Sequence, residues 1–316
     1  MRLTTAVVAL FTCALAATAD AADKQSVRVV KDIAYTGTGL GASADRALSP
    51  YADSKDKLDL YLPDGSDAGS KRTVPTSGGA GLPVIVSYYG GALTAGDKNQ
   101  QAFIGHRFAA AGIATAVVNY RLTPAVMHPG HIEDAAASFA WVKRHIAQYG
   151  GDPNQVFIIG HSAGAYLVAL LSTDERYLAA QKLSLKDIRG VVPVSAFYWV
   201  EKAGVAPDRD KRVWGTDEKV WIDASPAHHL SAHVPPTLIL YADGDDEWRR
   251  QQNTDMLQAL KSAGNTNVTI AMIKDRTHNS IWSKVKEEGD EVAGKIIDFV
   301  RATAAPRGSS VSPNGG

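Results

Sequence analysis

Short runs of apolar and β-branched residues recur along the chain at 28–35, 57–62, 83–89, 113–119, 156–161, 189–195, 236–242 and 268–273. Each is separated from the next by a polar loop or by a stretch with helical spacing. The later runs are continuously apolar, which predicts strands buried on both faces. Helices are predicted at 99–111, 132–149, 163–173, 249–263 and 285–302; in the second, Ile132, Ala135, Ala136, Phe139, Ala140 and Val142 approximate one apolar stripe. Strands alternating with amphipathic helices predict an α/β fold, with a mostly parallel central sheet of about eight strands flanked by helices.

Three stretches depart from that rhythm. Residues 64–82 are rich in Gly, Ser and Thr and read as a surface loop between two strands. Between 197 and 235 the chain leaves the sheet for an excursion carrying Phe197, Tyr198, Trp199, Trp214 and Trp221, which either roofs the site or packs on the sheet edge. The tail, 303–316, is polar and Gly/Pro-rich, and is expected to be disordered.

At the start, Met1-Arg2 followed by a largely apolar Leu3–Leu15 and by Ala17-Thr18-Ala19 reads as a signal peptide over 1–19, with Ala19-Asp20-Ala21 as an alternative cut. The apolar part is too short for a membrane span, so the expectation is a periplasmic or secreted protein without stable membrane insertion. The only cysteine, Cys13, falls in this segment; the mature chain is then expected to lack disulfides. Residues 20–302 are read as one catalytic domain. With 33 basic and 33 acidic residues the net charge is zero, which argues against nucleic acid and points to a small or neutral partner.

The candidate chemistry centres on Gly160-His161-Ser162-Ala163-Gly164, placed between the apolar run Val156–Ile159 and a helix. A sharp strand-to-helix turn with glycines on both sides presents Ser162 Oγ above the sheet. A serine hydroxyl is a weak nucleophile and needs a base, itself oriented by an acid. The acidic loop Asp243-Gly244-Asp245-Asp246-Glu247 follows the 236–242 run, and His278 follows the last run, so Asp245 and His278 are the candidates. Oxyanion donors are expected from the backbone of Gly90, Gly91 and Ala163. Tyr89, Leu93, His161 and Trp282 are the candidate substrate-contacting residues. His128 and His131, and the pair His228-His229, lack an accompanying ligand set, so no metal is expected, and the chemistry calls for no cofactor.

The stretch Val84–Lys98, with Tyr89-Gly90-Gly91-Ala92-Leu93 and Gly96-Asp97-Lys98, resembles the HGGGW-x-x-GDK segment of the carboxylesterase and hormone-sensitive-lipase-like branch of the α/β hydrolases. Leu58–Pro63, Val118–Leu122, Ile132–Ala135, Tyr149–Pro153 and Ala224–Pro226 resemble that family in order, over roughly 55–300. The order Ser162, Asp245, His278 is also that of the α/β hydrolases. The resemblance implies the α/β-hydrolase fold and a serine esterase, with relatives such as feruloyl and acetyl-xylan esterases, acting on a small-molecule ester through an acyl-enzyme. An arylformamidase-like amide hydrolase and a non-catalytic ligand-binding protein of the same fold are the alternatives. Two departures bear on the substrate: Tyr89 stands where the branch has His, and Ala92 and Leu93 replace its third Gly and its Trp. The absence of a long apolar insertion for a lipase lid predicts short or compact acyl groups.

Overall fold

The computed structural model describes residues 26–36, 55–64, 81–203 and 207–304. The expected signal peptide, residues 65–80 of the expected 64–82 loop and the tail from 305 onward lie outside the described residues; Leu82 already belongs to a strand. Eight strands form one sheet: β1 (Val27–Ala34), β2 (Lys57–Pro63), β3 (Leu82–Tyr88), β4 (Ala114–Val118), β5 (Gly151–His161), β6 (Gly190–Val194), β7 (Thr237–Gly244) and β8 (Val268–Thr277). Their order is β1-β2-β4-β3-β5-β6-β7-β8. The β1–β2 and β2–β4 pairs are antiparallel, and all others are parallel.

The continuous apolar runs divide by side-chain alternation into two cores, as two covered faces require. Val84, Val86, Tyr88, Val156 and Ile158 point to one face, where they meet α2 (Gly130–His145) and α3 (Ala163–Thr173). Ile85, Phe157, Ile159, Val192 and Val194 point to the other, against α1 (Ala102–Ala110) and the last helix, Glu291–Ala304. β8 corrects the sequence expectation. It is an edge strand, alternating between buried and exposed positions, with Met272 45% exposed. Val268 and Ile270 still pack into the core on one face and Ala271 and Ile273 into that on the other, but among the described residues no strand pairs with its outer edge.

Helix ends have local causes. The 132–149 prediction resolves into α2 and a 3-10 turn at Ile146–Tyr149, stopped at Gly150, whose φ of 83° only glycine adopts without strain. The predicted 285–302 helix starts later, at Glu291. Gly289 has φ 74°, and Asp290 Oδ1 then accepts the Ala293 N–H at 2.9 Å, which caps the helix. Thr303 and Ala304, assigned by the sequence to the tail, complete its last turn. Among its described residues the 197–235 excursion contains two short α-helices, Pro207–Trp214 and Glu218–Asp223. It is pinned to α3 by aromatic packing: Phe197 stacks on Tyr166 at 4.7 Å, and Trp214 stands edge-on to both. The C-terminal ends of β5, β7 and β8 therefore open on one edge of the sheet, where parallel α/β folds carry their sites.

Candidate active site

β5 ends at His161 and α3 begins at Ala163, leaving Ser162 alone at the turn with φ 54° and ψ −114°. A non-glycine residue held there is strained, and the flanking glycines make the turn possible. A Cβ at Gly160 would lie 2.4 Å from the Gly164 backbone, and one at Gly164 would lie 2.1 Å from the Tyr88 carbonyl oxygen. The Ser162 N–H is tied to the Val194 carbonyl at 3.0 Å, so β6 fixes the turn from the side.

The three predicted side chains meet. Ser162 Oγ is 2.9 Å from His278 Nε2, and His278 Nδ1 is 2.6 Å from Asp245 Oδ1. An ionised carboxylate can only accept, so Nδ1 carries the proton and Nε2 is free to accept from Ser162. The Asp245 side chain is fully buried. Burial alone would push its carboxyl up, but hydrogen bonds from His278, from Ser195 Oγ at 2.6 Å and from the Ala242 N–H at 2.9 Å hold it below its usual 3.8. Its acidic neighbours are engaged elsewhere. Asp243 accepts the N–H groups of Asp275 and Arg276 and so anchors the end of β8, while Asp246 is exposed.

Gly90 lies against the turn: a Cβ there would be 3.1 Å from Ser162 Cβ and from the His161 carbonyl. Gly91 has φ 121°, and a Cβ on it would strike the Ala95 carbonyl at 2.1 Å. Its own carbonyl accepts from Thr94 and Ala95, while among the described residues the N–H groups of Gly91 and Ala163 have no protein acceptor. The loop is held from beneath. Tyr89 and Tyr120 stack at 4.5 Å, and each hydroxyl donates to the other's carbonyl. Further out, the buried Lys98 bridges Asp32 and Asp59, and Asp97 takes Lys55 and Asn119, which fastens the loop to β1 and β2.

The four residues expected to contact substrate are buried: Leu93, Tyr89, Trp282 and His161 are 1%, 2%, 4% and 7% exposed. Tyr89 and Leu93 brace the loop. His161 and Trp282 brace the histidine. His161 Nε2 lies 2.7 Å from the His278 carbonyl, and its ring stacks on Trp282 at 5.7 Å, whose Nε1–H donates to Gln101 at 2.5 Å. Burial, reinforced by the neighbouring His278, pushes the His161 imidazole down to about 3, so it is neutral and donates Nε2–H to that carbonyl.

Ser195 and Gln101 were not foreseen. Ser195 directly follows the apolar run of β6, and that strand-end position was its one available signal. Of the other histidines, His131 bonds Thr123 at 3.2 Å and His229 takes the Asp223 carbonyl. Among the described residues no group of His, Cys, Asp and Glu is arranged to hold a metal ion.

Comparison with known proteins bears on the family and the fold. A protein-family model described as BD-FAE matches residues 72–260. The probable carboxylic ester hydrolase LipM of Mycobacterium tuberculosis is 30% identical over 215 residues, covering 62% of this chain and 49% of that protein. The isoprenylcysteine alpha-carbonyl methylesterase ICME of Arabidopsis thaliana is 25% identical, covering 78% of this chain and 60% of that one. The chain spans about half the length of the first of these relatives. Among solved structures, a truncated carbohydrate esterase from gut microbiota superposes with a TM-score of 0.67 at 20% identity, covering 90% of this chain and 98% of its own. Esterase B from Lactobacillus rhamnosis gives 0.67 at 20% identity, covering 89% and 87%. These similarities establish the α/β-hydrolase fold, and with 72–260 matched by the family model the chain belongs to the BD-FAE family.

Proposed function

We propose that the protein is a carboxylic-ester hydrolase in which Ser162 is the nucleophile, His278 the general base and Asp245 the acid that orients it. What supports the reading is the unbroken chain of contacts from Ser162 Oγ through His278 to a buried carboxylate at 2.9 and 2.6 Å. His278 Nε2 takes the hydroxyl proton as Oγ attacks the ester carbonyl. The carbonyl oxygen becomes an oxyanion facing the free N–H groups of Gly91 and Ala163, with Gly90 leaving room for its approach. Collapse breaks the C–O bond, and His278 returns the proton to the departing alcohol. Water then gives a proton to Nε2 as it attacks the acyl-enzyme, and the acid leaves with Ser162 restored. Asp245 stays ionised and compensates the imidazolium in both steps.

The relatives named as esterases support ester over formamide substrates. Short or compact acyl groups are part of the proposal, as is export, which rests on the apolar Leu3–Leu15 run after Arg2. The test is Ser162→Ala. The folded variant should lose nearly all hydrolysis of 4-nitrophenyl acetate and resist a serine-reactive phosphonate that labels the unmodified protein. Unchanged turnover by the purified variant would overturn the assignment; faster kcat/KM on decanoate than on acetate would overturn only the acyl preference.

A further inference from the structure

Arg249 sits in the first turn of the Glu247–Ser262 helix, beside the loop that carries Asp245. Its Nη1 donates to the Ser195 carbonyl at 2.8 Å. Ser195 is also the residue whose hydroxyl meets Asp245, and it follows Val194, which takes the Ser162 N–H. The guanidinium is thus one residue removed from contacts to both the nucleophile and the acid. Its carbon lies 4.4 Å from the centre of the Trp248 ring and 5.9 Å from that of Phe197, which stacks on Tyr166 one turn beyond Ser162.

This cation is poorly compensated by the protein. Among the described residues no carboxylate lies within salt-bridge distance of it, and its single protein hydrogen bond uses one of five N–H donors. Its remaining nitrogens are not among the buried atoms left without a partner, so they reach solvent. Burial pushes the guanidinium down to about 10; Asp245 and Asp246 oppose that at a distance, and Arg209 adds to it. Its place at a helix N-terminus is unfavourable to positive charge as well. A neutral donor would serve the Ser195 carbonyl without these penalties. A planar fork beside two aromatic rings suits a carboxylate, which it binds through two parallel hydrogen bonds.

We propose that Arg249 is a specificity residue that binds a carboxylate carried by the ester, so that the favoured substrates are esters bearing a second, anionic carboxyl group, with Phe197 and Trp248 flanking the part that joins the two. The inference rests on the esterase reading above. The carboxylate belongs either to the acyl part or to the alcohol part, and two matched pairs separate these: 4-nitrophenyl hemiglutarate against 4-nitrophenyl pentanoate, and an acetylated uronic acid against the same acetylated neutral sugar.

The readout is the ratio of kcat/KM within each pair, which cancels general damage to the site. The wild-type ratio should favour the anionic member of one pair by about tenfold or more. Arg249→Met and Arg249→Gln, the latter retaining a donor for Ser195, should both abolish that preference, and Arg249→Lys should keep part of it. Monomethyl glutarate should bind Ser162→Ala protein in a calorimetric titration, and the binding should weaken about tenfold or more when Arg249→Gln is added. Ratios that Arg249→Gln leaves unmoved in both pairs, with binding equally unmoved, overturn the carboxylate site while neutral ester hydrolysis still upholds the esterase. Failure of the wild-type protein on every ester overturns the esterase reading, and the titration then judges the carboxylate site alone.

Discussion

Asp245→Asn replaces one oxygen by an NH2 group and should cripple turnover, because the surroundings of the carboxylate dictate which way the amide faces. Oδ2 accepts from the Ala242 N–H at 2.9 Å, a group that can only donate. The amide oxygen must take that place, which leaves the NH2 facing His278 Nδ1 in the 2.6 Å contact now made by Oδ1. Nδ1 is then forced to accept, and the ring proton moves to Nε2. An Nε2–H cannot take the Ser162 proton across 2.9 Å. The reverse amide rotamer restores the tautomer but sets two donors against each other in a fully buried place, at a cost of about 1–3 kcal/mol. Loss of the carboxylate charge beside the imidazolium removes about 1.5–3 kcal/mol more. Together these lower kcat by roughly 10² to 10⁴-fold. Steady-state hydrolysis of 4-nitrophenyl acetate measures the loss, and ¹⁵N NMR of the His278 ring reports the tautomer. A variant within tenfold of wild type, or one whose ring keeps its proton on Nδ1, would refute the argument. Asp243→Asn and Asp246→Asn, which do not face His278, should fall far less.

Ser195→Ala deletes one of the two other donors to the same carboxylate; unfolding at pH 7 should require about 1.5–3 kcal/mol less and kcat should fall about tenfold. Denaturant unfolding and ester hydrolysis test this, and an Ala variant matching wild type in both would contradict it. Gly164→Ala drives a Cβ to 2.1 Å from a backbone carbonyl and should cost more than about 3 kcal/mol, read as a fall in unfolding midpoint or loss of soluble protein. Burial pushes His131 down to about 4 from 6.5, so the unfolded chain takes up this proton first as pH falls. Stability should therefore be flat above 6.5 and decline between 6.5 and about 4, by about 2 kcal/mol from this group at pH 5. In His131→Gln the thermal midpoint should drop less between pH 7 and pH 5; an equal drop would remove His131 as a cause.

What the chain order made legible was whatever depends on neighbours in sequence. The apolar run into Gly160-His161-Ser162-Ala163-Gly164 predicts its turn because a strand, a small-residue corner and a helix are adjacent. Asp245 and His278 follow because each lies just past an apolar run. Edge position was not legible: Val268-Thr269-Ile270-Ala271-Met272-Ile273 is as apolar as an inner strand, and only pairing shows that among the described residues no strand lies beyond β8. Nor was the difference between lining and bracing. Tyr89, Leu93, His161 and Trp282 stand beside the chemistry in sequence, yet each turns into the packing, because the loop and the histidine need support on the side away from solvent.

Ser195 shows why such supports escape a reading along the chain and still follow from the fold. The nucleophile follows β5 and the acid follows β7, with β6 between the two strands. Adjacent strands are about 4.8 Å apart, so two strand spacings separate the places where the two side chains start, and the imidazole bridges that gap from β8. The residue that follows β6 therefore lies between the nucleophile turn and the acid loop. A large side chain has no room in this fully buried place, and an apolar one would leave Asp245 Oδ2 short of a donor. The position asks for a small residue with a hydroxyl, in a backbone bent enough to turn that hydroxyl toward Asp245. Ser195 meets each demand: it is fully buried, it donates at 2.6 Å, and its φ is 53°. Its strained backbone is held at both ends, by its N–H on the Leu240 carbonyl at 2.7 Å and by Arg249 on its own carbonyl at 2.8 Å. The residue with no chemistry of its own is thus set by contacts as specific as those of the nucleophile, because the spacing of the sheet leaves it no other place.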